Sequence, residues 1–211
     1  CAFIEVNSKG QNRIIVSAGT NRMYTEEYIK NVLEKAEAGD FVLLQNEINM
    51  VGEIIRLSHE KGCRVVFNAS PIPGKPEELP LELVDIFMVN ELEAAALAGT
   101  STEGDFRDIL KALQKKYPKA TIVMTLGKEG VFYGYKEEFY SHPIFKVNAV
   151  DTTAAGDTFC GYFLAALCAE KSVETALREA SAASAMAVSA KGAAPSIPVH
   201  SAVEEWLCGR S

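Results

Sequence analysis

Short apolar runs alternating with helical patterns constrain this chain more than any other feature. Residues 41–44 form the first run, and a pattern of helical period follows over 50–61. A second run, 64–67, leads into a loop over 68–80 that carries Pro71, Pro73, Pro76 and Pro80. A third, 86–89, precedes a helix from Glu91 and another over 105–116. A fourth, 121–124, is followed by residues 130–135, which read as a strand returning beside it. Uninterrupted apolar strands are buried on both faces, and the helices between them supply the crossovers. The pattern predicts an α/β fold, a doubly wound and mostly parallel sheet with helices on both faces. Ligands in such sheets sit beyond the carboxyl ends of the strands. The positions just after each run are therefore the informative ones: Glu47, Asn68, Asn90, Thr125 and Gly127.

Composition narrows the function. With 211 residues, 48% of them apolar, the chain can bury the core of one large globular domain. A net charge of −7 opposes nucleic acid as the main partner, because backbone phosphates demand a Lys/Arg surplus. Nucleotide phosphates remain possible ligands where Mg²⁺ and backbone amides meet them. The cysteines (Cys1, Cys63, Cys160, Cys168, Cys208) are odd in number and contain no C-x-x-C pair, which fits reduced thiols in a cytoplasmic setting. His59, His142 and His200 lie far apart without H-x-x-x-H spacing, so zinc hydrolysis has no support. No apolar run reaches bilayer length and no signal peptide is evident, so no membrane partner is expected. The chain opens at Cys1 inside an apolar stretch without a methionine, which reads as an N-terminal truncation.

Before the alternation begins, residues 2–6 and 13–17 read as two short strands around a hairpin turn at Asn7-Ser8-Lys9-Gly10. Thr25 has the form of an N-cap, with Glu26 and Glu27 in the first turn of a helix expected to run to about Ala38 before Gly39 stops it. The last third differs, with alanine-rich helical stretches over 158–169 and 173–190, a break at 191–195 and a final helix from about Ser201. There Ser201 and Glu204 have capping-box spacing.

Between these parts lies Asp151-Thr152-Thr153-Ala154-Ala155-Gly156-Asp157. A turn of small residues lets the backbone approach a ligand closely and feeds directly into a helix. The unpaired N–H groups and positive dipole end of that helix make an anion site. A structural cap needs one acid, whereas two, Asp151 and Asp157, flank this turn. In phosphoryl transfer a carboxylate takes the acceptor hydroxyl's proton while amides stabilise the transferring group. The plainer reading, an ordinary N-capped helix whose Gly and Ala serve packing, stays open on these residues alone.

The run from Asp151 through Asp157-Thr158-Phe159 resembles the C-terminal signature of the ribokinase (PfkB-type) carbohydrate kinase family, and 191–198 (Lys-Gly-Ala-Ala-Pro-Ser-Ile-Pro) is similar to its tail. The double alanine is the form of ribokinases, where many other members have Gly at the position of Ala154. The likeness runs in order along the whole chain. It implies a ribokinase-like fold with residues 1–20 a remnant of the family's β-lid and 21–211 the nucleotide-binding and catalytic domain. It also implies an ATP-dependent sugar kinase, first of all one that acts on a primary hydroxyl of D-ribose, with Mg²⁺ and a monovalent cation, K⁺, and a homodimer formed through the lid.

Residue roles follow from the same resemblance. Asp157 becomes the catalytic base that also touches the sugar, and the amides of Ala154, Ala155 and Gly156 the anion hole. Asn90 and Glu93 match the family's N-x-x-E motif, with Asn90 near the phosphates and Glu93 organising Mg²⁺ through water. Thr125, Gly127 and Gly130 match the nucleotide-binding turn, and Ser181 a further nucleotide contact. Asp151, Thr153, Ala187, Ala190, Gly192 and Ser196 match the cation site, several through carbonyls. Glu47 matches a position that binds sugar hydroxyls. Each has a plainer alternative: a solvated helix acid for Glu93, a surface acid for Glu47, a plain turn for 125–130 and a simple loop for Gly192 and Ser196. The family's Gly-Gly-x-Asn-type sugar motif is not in this sequence, so a chain lacking it is expected to be inactive alone.

Two other classes compete with the ribose kinase: a relative acting on another sugar or a nucleoside, and a non-catalytic nucleotide-binding or dimerisation module. A Rossmann dehydrogenase or a P-loop ATPase would need G-x-G-x-x-G or G-x-x-x-x-G-K-[S/T], and neither occurs here.

Overall fold

The computed structural model describes residues 2–6 and 12–210. The hairpin turn expected at Asn7–Gly10 lies outside the described residues. On either side of it, β1 (Ala2–Val6) and β2 (Asn12–Val16) pair antiparallel, with Ile4 opposite Ile14. The other six strands are β3 (Phe41–Gln45), β4 (Arg64–Asn68), β5 (Ile86–Asn90), β6 (Thr121–Thr125), β7 (Val131–Tyr135) and β8 (Glu138–His142). They follow one another in that order across one sheet. The fold is α/β with a mostly parallel, mixed sheet, as the alternation predicts.

Two compact units divide the chain between Phe87 and Met88, inside β5. In the first, β3 and β4 are parallel, Leu43 facing Val66. Helices α1 (Glu26–Leu33) and α2 (Val51–Glu60) accompany them. Val65, Val66 and Phe67 of β4 are fully buried, as an apolar run covered on both faces must be. The Thr25 hydroxyl accepts from the Tyr28 N–H at 3.2 Å, the expected N-cap. The helix stops at Leu33, well short of Ala38, because Lys35 and Ala36 turn back onto the carbonyls of Val32 and Leu33.

The second unit holds α3 (Glu91–Ala98), α4 (Phe106–Lys116), α5 (Ala155–Cys168), α6 (Val173–Val188) and α7 (His200–Cys208). Its β6 and β7 are antiparallel, Val123 opposite Tyr133, which makes residues 131–135 the returning strand. β8 continues the meander, Tyr133 opposite Tyr140, and had no counterpart in the apolar runs. Helices α5 and α6 are rich in alanine, and Ala176, Ala180, Ala182, Ala183 and Ala187 are almost completely buried, so two backbones can pack closely. The capping box expected at Ser201 does not form. The N-cap of α7 is Val199 without a side-chain bond, and Ser201 sits inside the first turn, because the chain already bends into the helix at His200.

Candidate active site

The last unit contains a cleft of about 590 Å³ whose walls come from four stretches of chain. The turn after β6 contributes Thr125, Gly127, Lys128 and Gly130, and the segment after β8 contributes Ile144 through Val147 and Ala149. The start of α5 brings Thr152, Ala155, Gly156 and Phe159, and α6 brings Ser181, Ser184, Ala185 and Val188. Of the predicted nucleotide residues, Thr125, Gly127, Gly130, Gly156 and Ser181 therefore share one cavity. The segment 144–149 and Ser184 had no motif to announce them.

Local geometry explains why α5 opens on this cleft. Ala154 takes left-handed dihedrals, φ 59° and ψ 15°, and is an N-cap without a side-chain bond. The helix consequently starts at Ala155, three residues before the Thr158 expected from the apolar pattern. The Ala155 N–H donates to the Thr152 carbonyl at 3.3 Å, so of the three predicted anion-hole amides this one is turned into the loop. The hydroxyl and N–H of Thr158 both donate to the Ala154 carbonyl, at 2.8 and 2.9 Å. Gly156 is exposed on the cleft wall in the first helical turn, where an N–H has no intrahelical acceptor and the positive end of the dipole lies. Asp157, the next residue, is exposed in the same turn.

Behind Asp157 the environment is apolar. Cys160 is 4% exposed, with its Sγ 3.1 Å from the Met88 Sδ. Burial, helped by the neighbouring Asp157 charge, pushes this thiol up to about 12, so it stays protonated and inert. No disulfide is formed among the described residues.

Asp151 ties two loops together. Its Oδ1 accepts from the Thr153 hydroxyl at 2.6 Å and the Thr153 N–H at 3.0 Å, and its Oδ2 accepts from the Gly192 N–H at 3.0 Å. These donors, the Thr153 hydroxyl first, hold the carboxyl at about 2, below its ordinary 3.8. Val150 and Asp151 both donate to the Val188 carbonyl at the end of α6. The Ala187 carbonyl accepts from the Ala190 N–H at 3.1 Å, and the buried Ser196 bonds back to the Ala193 carbonyl through both its N–H and its hydroxyl. Asp151, Thr153 and Gly192 are thus joined directly, with Ala187 in the last turn of α6 and Ala190 and Ser196 in the segment that follows it.

Asn90 and Glu93 form a capping box at the start of α3, each side chain accepting from the other's backbone N–H at 2.9 Å. Glu93 is 8% exposed, so it is not the solvated helix acid of the plainer reading. Glu47 belongs to the other unit. It is exposed in the turn after β3, beside Asn46, whose N–H donates to the Ser70 carbonyl and whose side-chain amide donates to the Pro71 carbonyl.

Gly127 and Gly130 take φ 48° and 101°. A Cβ on Gly130 would stand 2.2 Å from the His142 carbonyl oxygen, so only glycine allows β8 to pass so close to this turn. Among the described residues no helix is long and apolar enough to cross a membrane.

Comparison with known proteins agrees with this geometry. Residues 1–200 match the pfkB family of carbohydrate kinases. The ribokinase of Haemophilus influenzae is 36% identical over 210 residues, which span 98% of this chain and 68% of that protein. The crystal structure of ribokinase from Thermotoga maritima superposes with a TM-score of 0.84 at 36% identity, over 98% of this chain and 69% of that one. Ribokinase from Arabidopsis thaliana, solved with ribose and ATP, gives 0.82 at 31% identity, over 98% and 68%. A match along nearly the whole chain, with the signature turn folded into a helix start that opens on a cleft, settles the assignment: the chain belongs to the pfkB family of carbohydrate kinases.

Proposed function

We propose that the protein transfers the γ-phosphate of ATP to a primary hydroxyl of a pentose, D-ribose first, giving ribose 5-phosphate. The observation that carries this reading is the start of α5: an uncapped N-terminus entered through a left-handed residue, with Gly156 on the cleft wall and Asp157 beside it. ATP would occupy the cleft, its base against the apolar surfaces of Val147, Ala185 and Val188 and near Ser181 and Thr125, its phosphates toward Gly156.

The chemistry then belongs to few groups. The sugar hydroxyl oxygen attacks the γ-phosphorus, its proton passes to the Asp157 carboxylate, and the bond from the γ-phosphorus to the bridging oxygen breaks to release ADP. The Gly156 N–H, reinforced by the helix dipole, stabilises the charge on the transferring group. Glu47 would bind sugar hydroxyls.

Two ions fit the residues present. Among the described residues no group of three or more His, Cys, Asp or Glu could hold a metal by itself. Mg²⁺ does not require such a group, since it keeps several waters and is carried by substrate phosphates with one or two carboxylates. Glu93, with Asn90 beside it, would meet those waters, and the ion supplies charge neutralisation on the phosphates. For K⁺, the Asp151 carboxylate and the carbonyls near Thr153, Ala187, Ala190, Gly192 and Ser196 offer only hard oxygens, the appropriate class.

Sugar-dependent ADP release by the full-length protein, measured over a panel of pentoses, hexoses and nucleosides, tests the reading. Ribose is expected to give the highest kcat/KM, and Asp157→Asn to lower kcat by about a hundredfold or more. Equal turnover in D157N, or no release with any acceptor, would sink it.

A further inference from the structure

We propose that Ser184 is a positioning residue for the Gly156 amide, aiming and polarising it toward the transferring phosphoryl group; the inference rests on the kinase reading above. Ser184 lies on α6, one turn beyond Ser181, and its hydroxyl donates to the Ala155 carbonyl at 3.0 Å. A serine inside a helix ordinarily bonds back to the carbonyl four residues earlier. Ser189, near the end of the same helix, does so, bonding to the Ala185 carbonyl at 2.8 Å. Ser184 instead reaches across to α5, a partner 29 residues away.

The target matters. The Ala155 carbonyl and the Gly156 N–H belong to one planar peptide unit, so fixing the oxygen fixes the direction of the N–H. A hydrogen bond accepted by the carbonyl also polarises the unit and makes its N–H a stronger donor. The preceding peptide supplies the contrast. Its carbonyl, that of Ala154, accepts from the Thr158 hydroxyl, but its N–H, that of Ala155, is spent on the Thr152 carbonyl. Both Ala155 and Gly156 line the cleft, but the Ala155 N–H is spent inside the loop, so of these two peptides the one held by Ser184 is the one whose N–H can serve the cleft. Ser184 itself lines the same wall. A role confined to packing would not require a hydroxyl aimed at this oxygen, since alanine fills the neighbouring positions of α6.

The effect should appear in the chemical step. At saturating ATP and sugar, Ser184→Ala is expected to lower kcat about tenfold to hundredfold, below the full loss of an anion-hole donor, while KM for ATP stays within about threefold. Affinity for ADP with aluminium fluoride, a mimic of the transferring group, should weaken by the same factor, and affinity for ADP alone should not change. Ser184→Thr, which keeps the hydroxyl, should recover most of the rate. If S184A does not fold, Ser184→Cys, similar in size with a weak donor, carries the same expectation. A kcat within twofold of wild type in S184A or S184C, or a fall confined to KM, overturns the proposal. Wild-type protein without sugar-dependent ADP release overturns the kinase reading itself. An active wild type and a crippled D157N beside an unaffected S184A would remove only the role of Ser184.

Discussion

Two residues carry backbone conformations that decide whether the site exists. Ala154 sits in the left-handed region at φ 59°, where a Cβ costs about 1–2 kcal/mol. Glycine is also the better N-cap of the two. Ala154→Gly should therefore stabilise the fold by about 1 kcal/mol, net of the added freedom of the unfolded chain, and raise Tm by about 2–4 °C. A melting curve that moves down instead would mean the methyl group is packed rather than strained. Gly130 is the opposite case. At φ 101° and ψ −138° it occupies a region essentially reserved for glycine, and a Cβ would meet the His142 carbonyl oxygen at 2.2 Å. Gly130→Ala should cost more than about 3 kcal/mol and deplete folded protein, as judged by denaturant midpoint and yield. Retention of the wild-type midpoint would show that β8 can withdraw from the turn without penalty.

At the scale of elements, the Asp151 bridge joins the loop before α5 to the loop after α6. Its carboxyl titrates at about 2 when folded and near 3.8 when free, so its stabilising contribution is complete above pH 4 and disappears as pH falls toward 2. Asp151→Asn exchanges one acceptor oxygen for an NH2 that faces an N–H or hydroxyl donor. The variant should melt below wild type at pH 7, and the gap should close as pH falls through that window. A gap independent of pH would assign the loss to geometry and not to charge. These same elements show what could be read from sequence. Caps were legible where side chain and spacing agree, as at Thr25, and strands where apolar runs are buried on both faces, as in β4 and β6. β8 was not, because its residues (Glu138, Phe139, Ser141) are exposed or polar and offer no apolar run. The start of α5 was misplaced because alanine is a poor N-cap by propensity, and the backbone of Ala154 overrides that preference. Ser201 misled for the reverse reason: its spacing to Glu204 is right, but the helix begins one residue before it. In the cleft wall, Thr125, Gly127, Gly130, Gly156 and Ser181 were marked by motif positions, whereas Ser184 in an alanine-rich helix and the 144–149 wall carry no local signature.

For the whole molecule, the division inside β5 has a measurable consequence. Every residue that lines the cleft follows Met88, so a nucleotide held there as proposed would touch one compact unit, while Glu47, the candidate sugar contact, belongs to the other. ATP alone should therefore slow amide exchange over residues 125–130, 144–156 and 181–188, the stretches that build the cleft. With ligand at about 100 times Kd, linkage provides about 2.7 kcal/mol, which corresponds to roughly hundredfold slower exchange for amides that open only with that unit. Amides of residues 24–68 should show no comparable protection until sugar is added. D157N should retain the nucleotide pattern, because the carboxylate is assigned to the acceptor proton and not to ATP. Protection spread evenly over both units by ATP alone would contradict the confinement. Its absence at 125–130 and 181–188 would remove the nucleotide from this cleft altogether. Either outcome is read directly by hydrogen-exchange mass spectrometry on the unliganded, ATP-bound and ATP-plus-ribose protein.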